Sequence, residues 1–206
     1  MTSRISNFIG SFRRYERITG MSEIARRYFV MNAFDGALTM FGLVTGSYLA
    51  GVRAPMLIFS VGISTVLAIG ISGLWGAFLT ETAERNRALK SLEKKMLRKL
   101  TGSYQSEASN AAIYVTAAVD ALSPMLAGFV ILLPFLLAEK GMFDISEAYT
   151  LALGLSFAIF FGLGAFLGKT SKDSWWLYGL KMLMAGLLAA VLTFALSYSG
   201  IVASTA

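Results

Sequence analysis

Residues 31–51 read MNAFDGALTMFGLVTGSYLAG. Asp35, Thr39, Gly42 and Gly46 follow one another at intervals of four, three and four, so on a helix they share one face. Phe34, Leu38, Met40, Phe41, Leu43 and Val44 cover the other faces. A helix that is apolar on most sides and carries one carboxylate in a stripe of small residues belongs in a bilayer. Small residues there let another helix approach closely. An embedded charge needs a partner or a function.

The composition agrees. The chain has 206 residues, is 56% hydrophobic and has a mean hydropathy of +0.65. Its apolar residues come in long runs, which predicts an all-α polytopic membrane protein. The alternating segments of a transmembrane barrel are missing. With no cysteine and no histidine, disulfides, thiolate or imidazole metal sites and Cys or His catalysis are excluded. A metal site must use carboxylates, carbonyls, hydroxyls and the Met thioether, a set that favours hard or borderline divalent cations. The net charge of +6 reads as loops retained on the cytoplasmic side, with no nucleic-acid partner.

Outward from the opening stretch, five spans are predicted, at about 28–52, 55–80, 111–137, 148–167 and 175–199. Before them, residues 1–27 place Ile5, Phe8, Ile9 and Phe12 at helical spacing beside Arg13, Arg14 and Arg17. This predicts an amphipathic helix on the inner membrane surface. The run is too short and broken for a signal peptide. Residues 52–55 form a turn, and Pro55 suits the first helical position of span two. The apolar part of span two ends near Leu79, but no helix breaker follows. Residues 81–101 are therefore expected to extend the same helix into the cytoplasm. Residues 103–110 read as a polar joint and 139–147 as a short acidic loop. Trp175, Trp176 and Tyr178 form an interfacial belt. Basic residues gather at the N-terminus, at 85–99 and at 169–172, and acidic ones at 139–147. The chain is thus expected in the cell membrane, with its N-terminus cytoplasmic and its C-terminus outside. Arg53 alone runs against that pattern.

The embedded or interfacial acids lie toward the cytoplasmic side. Asp35 is eight residues beyond Arg27, or about 12 Å along a helix, and Asp120 lies at a similar depth in span three. Glu81 and Glu84 sit where span two leaves the membrane, neighbours on one helix face. Thr65, Gly73, Gly76, Thr80 and Glu84 form a second stripe, expected to pack on the first. Pro124 and Pro134 are expected to break span three, and they deprive the carbonyls of Asp120 and Val130 of their helical donors. A carboxylate beside such a carbonyl is a cation ligand. The purely structural reading gives Asp35 a partner in Lys181, Asp120 one in Ser123 or Thr116, and Glu81 and Glu84 partners in Arg85 or Arg87. It leaves the glycines to packing and Met40, Met125, Met182 and Met184 to the core.

Four stretches resemble the vacuolar iron transporter family, which includes yeast vacuolar members that handle calcium and manganese. They are residues 32–39 (NAFDGALT), residues 70–79 (GISGLWGAFL) followed by a charged helix, Leu132–Phe135 (LLPF), and residues 179–190 (GLKMLMAGLLAA). The chain is similar to a short, prokaryotic-type member from about Ile24 onward. The resemblance implies a homodimer that exports divalent iron or manganese from the cytosol in exchange for protons, with the cation as substrate and no cofactor. It implies a pathway role for Asp35, and Glu84 matches an acidic position at the cytoplasmic end of span two. The chain departs from the family at Gly73, where a methionine is expected, and near Thr65, where a glutamate is expected. It also lacks the Glu- and Met-rich insertion between spans two and three. Asp120 is our candidate substitute for the missing ligands. The pathway set is therefore Asp35, Asp120, Glu81, Glu84 and Thr39, with Gly42, Gly46, Gly73 and Gly76 as packing positions. The alternatives are a non-transporting membrane scaffold or lipid-interacting protein and, ranked lowest, an intramembrane enzyme using Asp35 and Asp120.

Overall fold

A computed structural model describes residues 19–100 and 102–198, with side chains through residue 195. Most of the proposed amphipathic helix, residues 1–18, lies outside the described residues. Five helices follow: α1 Met21–Leu49, α2 Pro55–Met96, α3 Tyr104–Glu139, α4 Ile145–Thr170 and α5 Trp175–Tyr198. All five are long and apolar enough to cross a membrane, and no strand occurs among the described residues. Large apolar side chains are bare along them: Ile71 is 66% exposed, Trp75 64% and Val191 64%. In water such surface would drive aggregation, whereas in a bilayer it is the lipid contact.

Several helix bounds differ from the expected ones. Helix α1 begins just after Gly20, which has φ +58°, so residues 21–27 share one helix with the first span. Helix α3 starts at Tyr104. The polar joint is helical because Ser, Asn and Glu tolerate a helix when Ala108 and Ala112 give it a buried face. The same helix runs unbroken through Pro124 and Pro134. With no water competing, the remaining backbone bonds hold a membrane helix through a proline. Two helix ends follow from glycine: Gly51 (φ +68°) and Gly141 (φ +75°) take the left-handed conformation that stops a helix. There the amide of Val52 bonds the carbonyl of Ser47 (3.0 Å) and that of Met142 bonds Leu137 (3.1 Å). Helix α2 stays helical to Met96, and its exit is closed by Glu93, whose Oε1 accepts from the Leu100 amide at 2.7 Å.

The described residues form two compact units, one within 1–29 and 71–122, the other within 30–70 and 123–206. In the first, α2 and α3 run antiparallel. Phe78 and Tyr114 bring their rings to 5.9 Å. In this unit the buried positions of α3 are Ala108, Ala112, Ile113, Thr116, Ala117 and Ala121, and α2 contributes Ala77. A seam of alanines lets helix backbones approach closely. Further along, Arg85, Ala88, Leu89 and Leu92 of α2 line a cleft with Gln105 and Ser109 of α3.

The second unit has an aromatic core. Phe41, Phe135 and Phe160 are completely or nearly completely buried, with Met40, Val44, Ile131, Leu132 and Ala152 around them. Phe41 meets Phe157 and Phe160 edge-on at 5.4 and 5.8 Å, a preferred aromatic geometry. Helices α4 and α5 form a tight hairpin in which Gly164 lies on the backbone of Tyr178 and Gly179, and Gly168 on Trp175. The Tyr149 hydroxyl donates to the Val52 carbonyl at 2.8 Å, tying α4 to the α1–α2 turn.

Candidate functional site

In the second unit, α1 presents Asp35 outward. Gly36 is buried against Pro124 of α3, and a Cβ there would lie 2.5 Å from the Pro124 Cα. That contact fixes the rotation of α1. Asp35 and Met31 end up exposed, while Ala33, Ala37, Met40 and Phe41 face the core. Among the described residues, no hydrogen bond or ion pair holds the Asp35 carboxylate. Lys181 does not reach it: its Nζ lies over the Tyr178 ring, 5.0 Å from the centroid. Thr39 Oγ1 donates to the Asp35 carbonyl at 2.8 Å, so this hydroxyl is engaged with its own helix. Cβ atoms on Gly42 and Gly46 would meet nothing within 4 Å.

Among the described residues, a Cβ on Gly42, Gly46 or Gly76 would meet nothing within 4 Å, whereas one on Gly36, Gly62, Gly73, Gly128, Gly164, Gly168, Gly179 or Gly186 would meet a neighbour. A helical wheel shows which residues share a face but not which face has a neighbour. Of the methionines, Met40 is buried and Met184 exposed.

The first unit gathers the other acids. Gly73 of α2 lies directly on Asp120 of α3: a Cβ at 73 would sit 2.8 Å from Asp120 Oδ2 and 3.2 Å from the Asp120 carbonyl oxygen. The second stripe therefore packs at Gly73 against α3, and a side chain at 73 would displace the carboxylate. Glu81 accepts from Arg85, Nε to Oε2, at 3.0 Å, with both side chains largely shielded. The hydroxyl of Tyr28 lies close enough to Glu81 and Asp120 for both charges to act on it. Arg27 stacks over the Tyr28 ring, 5.9 Å from its centroid. Glu84 is exposed. No group of three or more Asp and Glu side chains converges on a metal-sized site among the described residues.

Sequence reasoning missed Tyr28 as a partner of Glu81, named Thr116 only as a hydrogen-bond partner for Asp120, and overlooked Gly36 as a packing position. Thr116 is fully buried and its Oγ1 has no hydrogen-bond partner. In contrast, the hydroxyls of Thr39, Thr65, Thr80, Thr82, Thr150, Thr170 and Thr193 all donate back to the carbonyl four residues earlier. The spacing of Thr116 and Asp120, four apart on one face, was the signal available.

Comparison with known proteins places this architecture. The family model described as the VIT family matches residues 91–198, just over half of the chain. An uncharacterized protein of Methanocaldococcus jannaschii is 33% identical over 175 residues, covering 84% of this chain and 88% of that protein. Five apolar helices and the matched family together make this a multi-pass membrane protein of a group of metal-ion transporters, not an enzyme: the chain belongs to the vacuolar iron transporter (VIT) family.

Proposed function

We propose that the protein exports a divalent cation, Fe²⁺ or Mn²⁺, from the cytoplasm in exchange for protons. It does so as a homodimer in the cell membrane, with its N-terminus inside and its C-terminus outside. Asp35 carries the reading. A carboxylate exposed on an apolar span, without a bonded partner among the described residues, is costly unless it serves passage of an ion or proton. A carboxylate in a low-dielectric site binds either a proton or a cation, which is the exchange an antiporter needs. Glu81, Glu84 and Asp120 supply further oxygen ligands in the first unit. The uncovered stripe of Asp35, Thr39, Gly42 and Gly46 is where a second copy would close over the span, since small residues permit close approach.

The test is flux of Fe²⁺, Mn²⁺ and Ca²⁺ into proteoliposomes under an imposed pH gradient, for wild type and Asp35→Asn. Gradient-driven flux that Asp35→Asn abolishes, with the protein still folded, supports the reading. Absence of flux from folded wild-type protein overturns it in favour of a non-transporting scaffold.

A further inference from the structure

We infer that the α2–α3 seam of the first unit is a cation site in its own right, formed by Asp120, Thr116, Glu81 and Tyr28, and built for a hard divalent cation that keeps part of its water. It deepens the export reading, on which it rests only in taking that cation as the cargo.

The first observation is positional. Gly73 lies on Asp120, and Phe78 meets Tyr114. These two contacts fix an antiparallel register in which Thr116, one turn before Asp120, falls level with buried Ala77, one turn after Gly73. Thr116 is therefore inside the seam, between Asp120 and the level of Glu81. Side chains on a helix lean toward its N-terminus. Since the helices are antiparallel, Glu81 leans toward Asp120 and Asp120 leans toward Glu81. Their helical levels, eight residues apart on α2, differ by about 12 Å, and each side chain reaches into that interval from its own end. Tyr28 joins them from α1.

The second observation is the Thr116 hydroxyl. It is completely buried and unbonded, as is that of Thr45 in the other unit, while seven other helical threonines bond their own backbone. A threonine that declines the bond to its own helix, in a place closed to bulk water, loses a hydrogen bond for nothing unless something else takes its oxygen. A cation between the two carboxylates is such a partner. It accepts lone pairs from Oγ1, from one oxygen of each carboxylate and from Tyr28, with water completing the shell.

Every donor is a hard oxygen, and no thioether or imidazole is present. This is the set for Mn²⁺, Mg²⁺ or Ca²⁺ over softer metals. Two carboxylates balance a divalent charge. Arg85 then acts as a competitor: it holds Glu81 at 3.0 Å, so the cation and the guanidinium contend for one carboxylate.

The experiment is Mn²⁺ binding to the purified full-length protein, followed by the loss of the free Mn²⁺ electron paramagnetic resonance signal and by titration calorimetry. Wild type and Tyr149→Phe, a change outside the seam, should bind alike. Asp120→Asn should abolish binding. Thr116→Val should weaken it about tenfold, the loss expected for one bond to a charged group. Gly73→Ala, which keeps every ligand but forces Asp120 aside, should also weaken it, and Arg85→Ala should tighten it. Thermal unfolding of each variant separates lost binding from lost fold. Wild-type protein that binds no Mn²⁺, or binding that ignores Asp120→Asn and Thr116→Val in folded protein, overturns the site. Binding that also disappears in folded Tyr149→Phe does the same. Flux in vesicles is read separately, so the site and the export reading can fail independently.

Discussion

The backbone of Gly36 lies against Pro124, so closely that a Cβ on Gly36 would come within 2.5 Å of the Pro124 Cα and carbonyl oxygen. The obstacle is backbone, which cannot turn aside as a side-chain tip can. Gly36→Ala is therefore expected to cost about 1–3 kcal/mol, the range for overpacking a tight contact. Thermal unfolding in lipid nanodiscs measures this, and a variant as stable as wild type would show that α1 and α3 can part without loss.

Asp35, one residue away, should behave in the opposite manner. Its side chain is exposed and held by nothing among the described residues, so Asp35→Asn is expected to stay within about 0.5 kcal/mol of wild type while losing flux. Loss of stability and flux together would mark Asp35 as a structural residue.

The Tyr149 hydroxyl donates to the Val52 carbonyl at 2.8 Å, and its ring packs on Phe135 and Tyr48 at 5.1 and 5.2 Å. Tyr149→Phe keeps the ring contacts and removes the bond. A loss of about 1 kcal/mol is expected, read as a lowered melting temperature. Tyr149→Ala should cost several times more, about 3–5 kcal/mol.

Thr45 carries the second buried, unbonded hydroxyl, in the second unit. With no partner to lose, Thr45→Val is expected to be neutral or to stabilise by up to about 1 kcal/mol. A clear destabilisation would reveal a bonded water or ion at that hydroxyl.

The spans were legible because twenty-odd apolar residues have few alternatives in a bilayer, and the ends at Gly51 and Gly141 follow from a residue type that readily takes positive φ. The start of α3 was not, since a polar stretch such as 103–110 reads as a joint until its alanines find a neighbour. The prolines misled for a related reason: the rule that they break helices is learned in water. The candidate site was legible as a list of acids but not as a geometry. Nothing in the order of residues says that Gly73 faces Asp120, that Tyr28 reaches Glu81, or that Gly42 and Gly46 are left bare. Those are statements about neighbours, and a single sequence encodes faces only.

Helix α2 is 42 residues long without a break, a rod of about 63 Å, roughly twice the hydrocarbon thickness. It can act as a lever. A tilt of only about 5° about one end would carry the other sideways by about 5 Å. A spectroscopic label on the bare side chain of Met96 or Leu97 would thus magnify small rotations of the membrane-spanning part of α2. The tip of this helix is the natural place from which to watch the spans move.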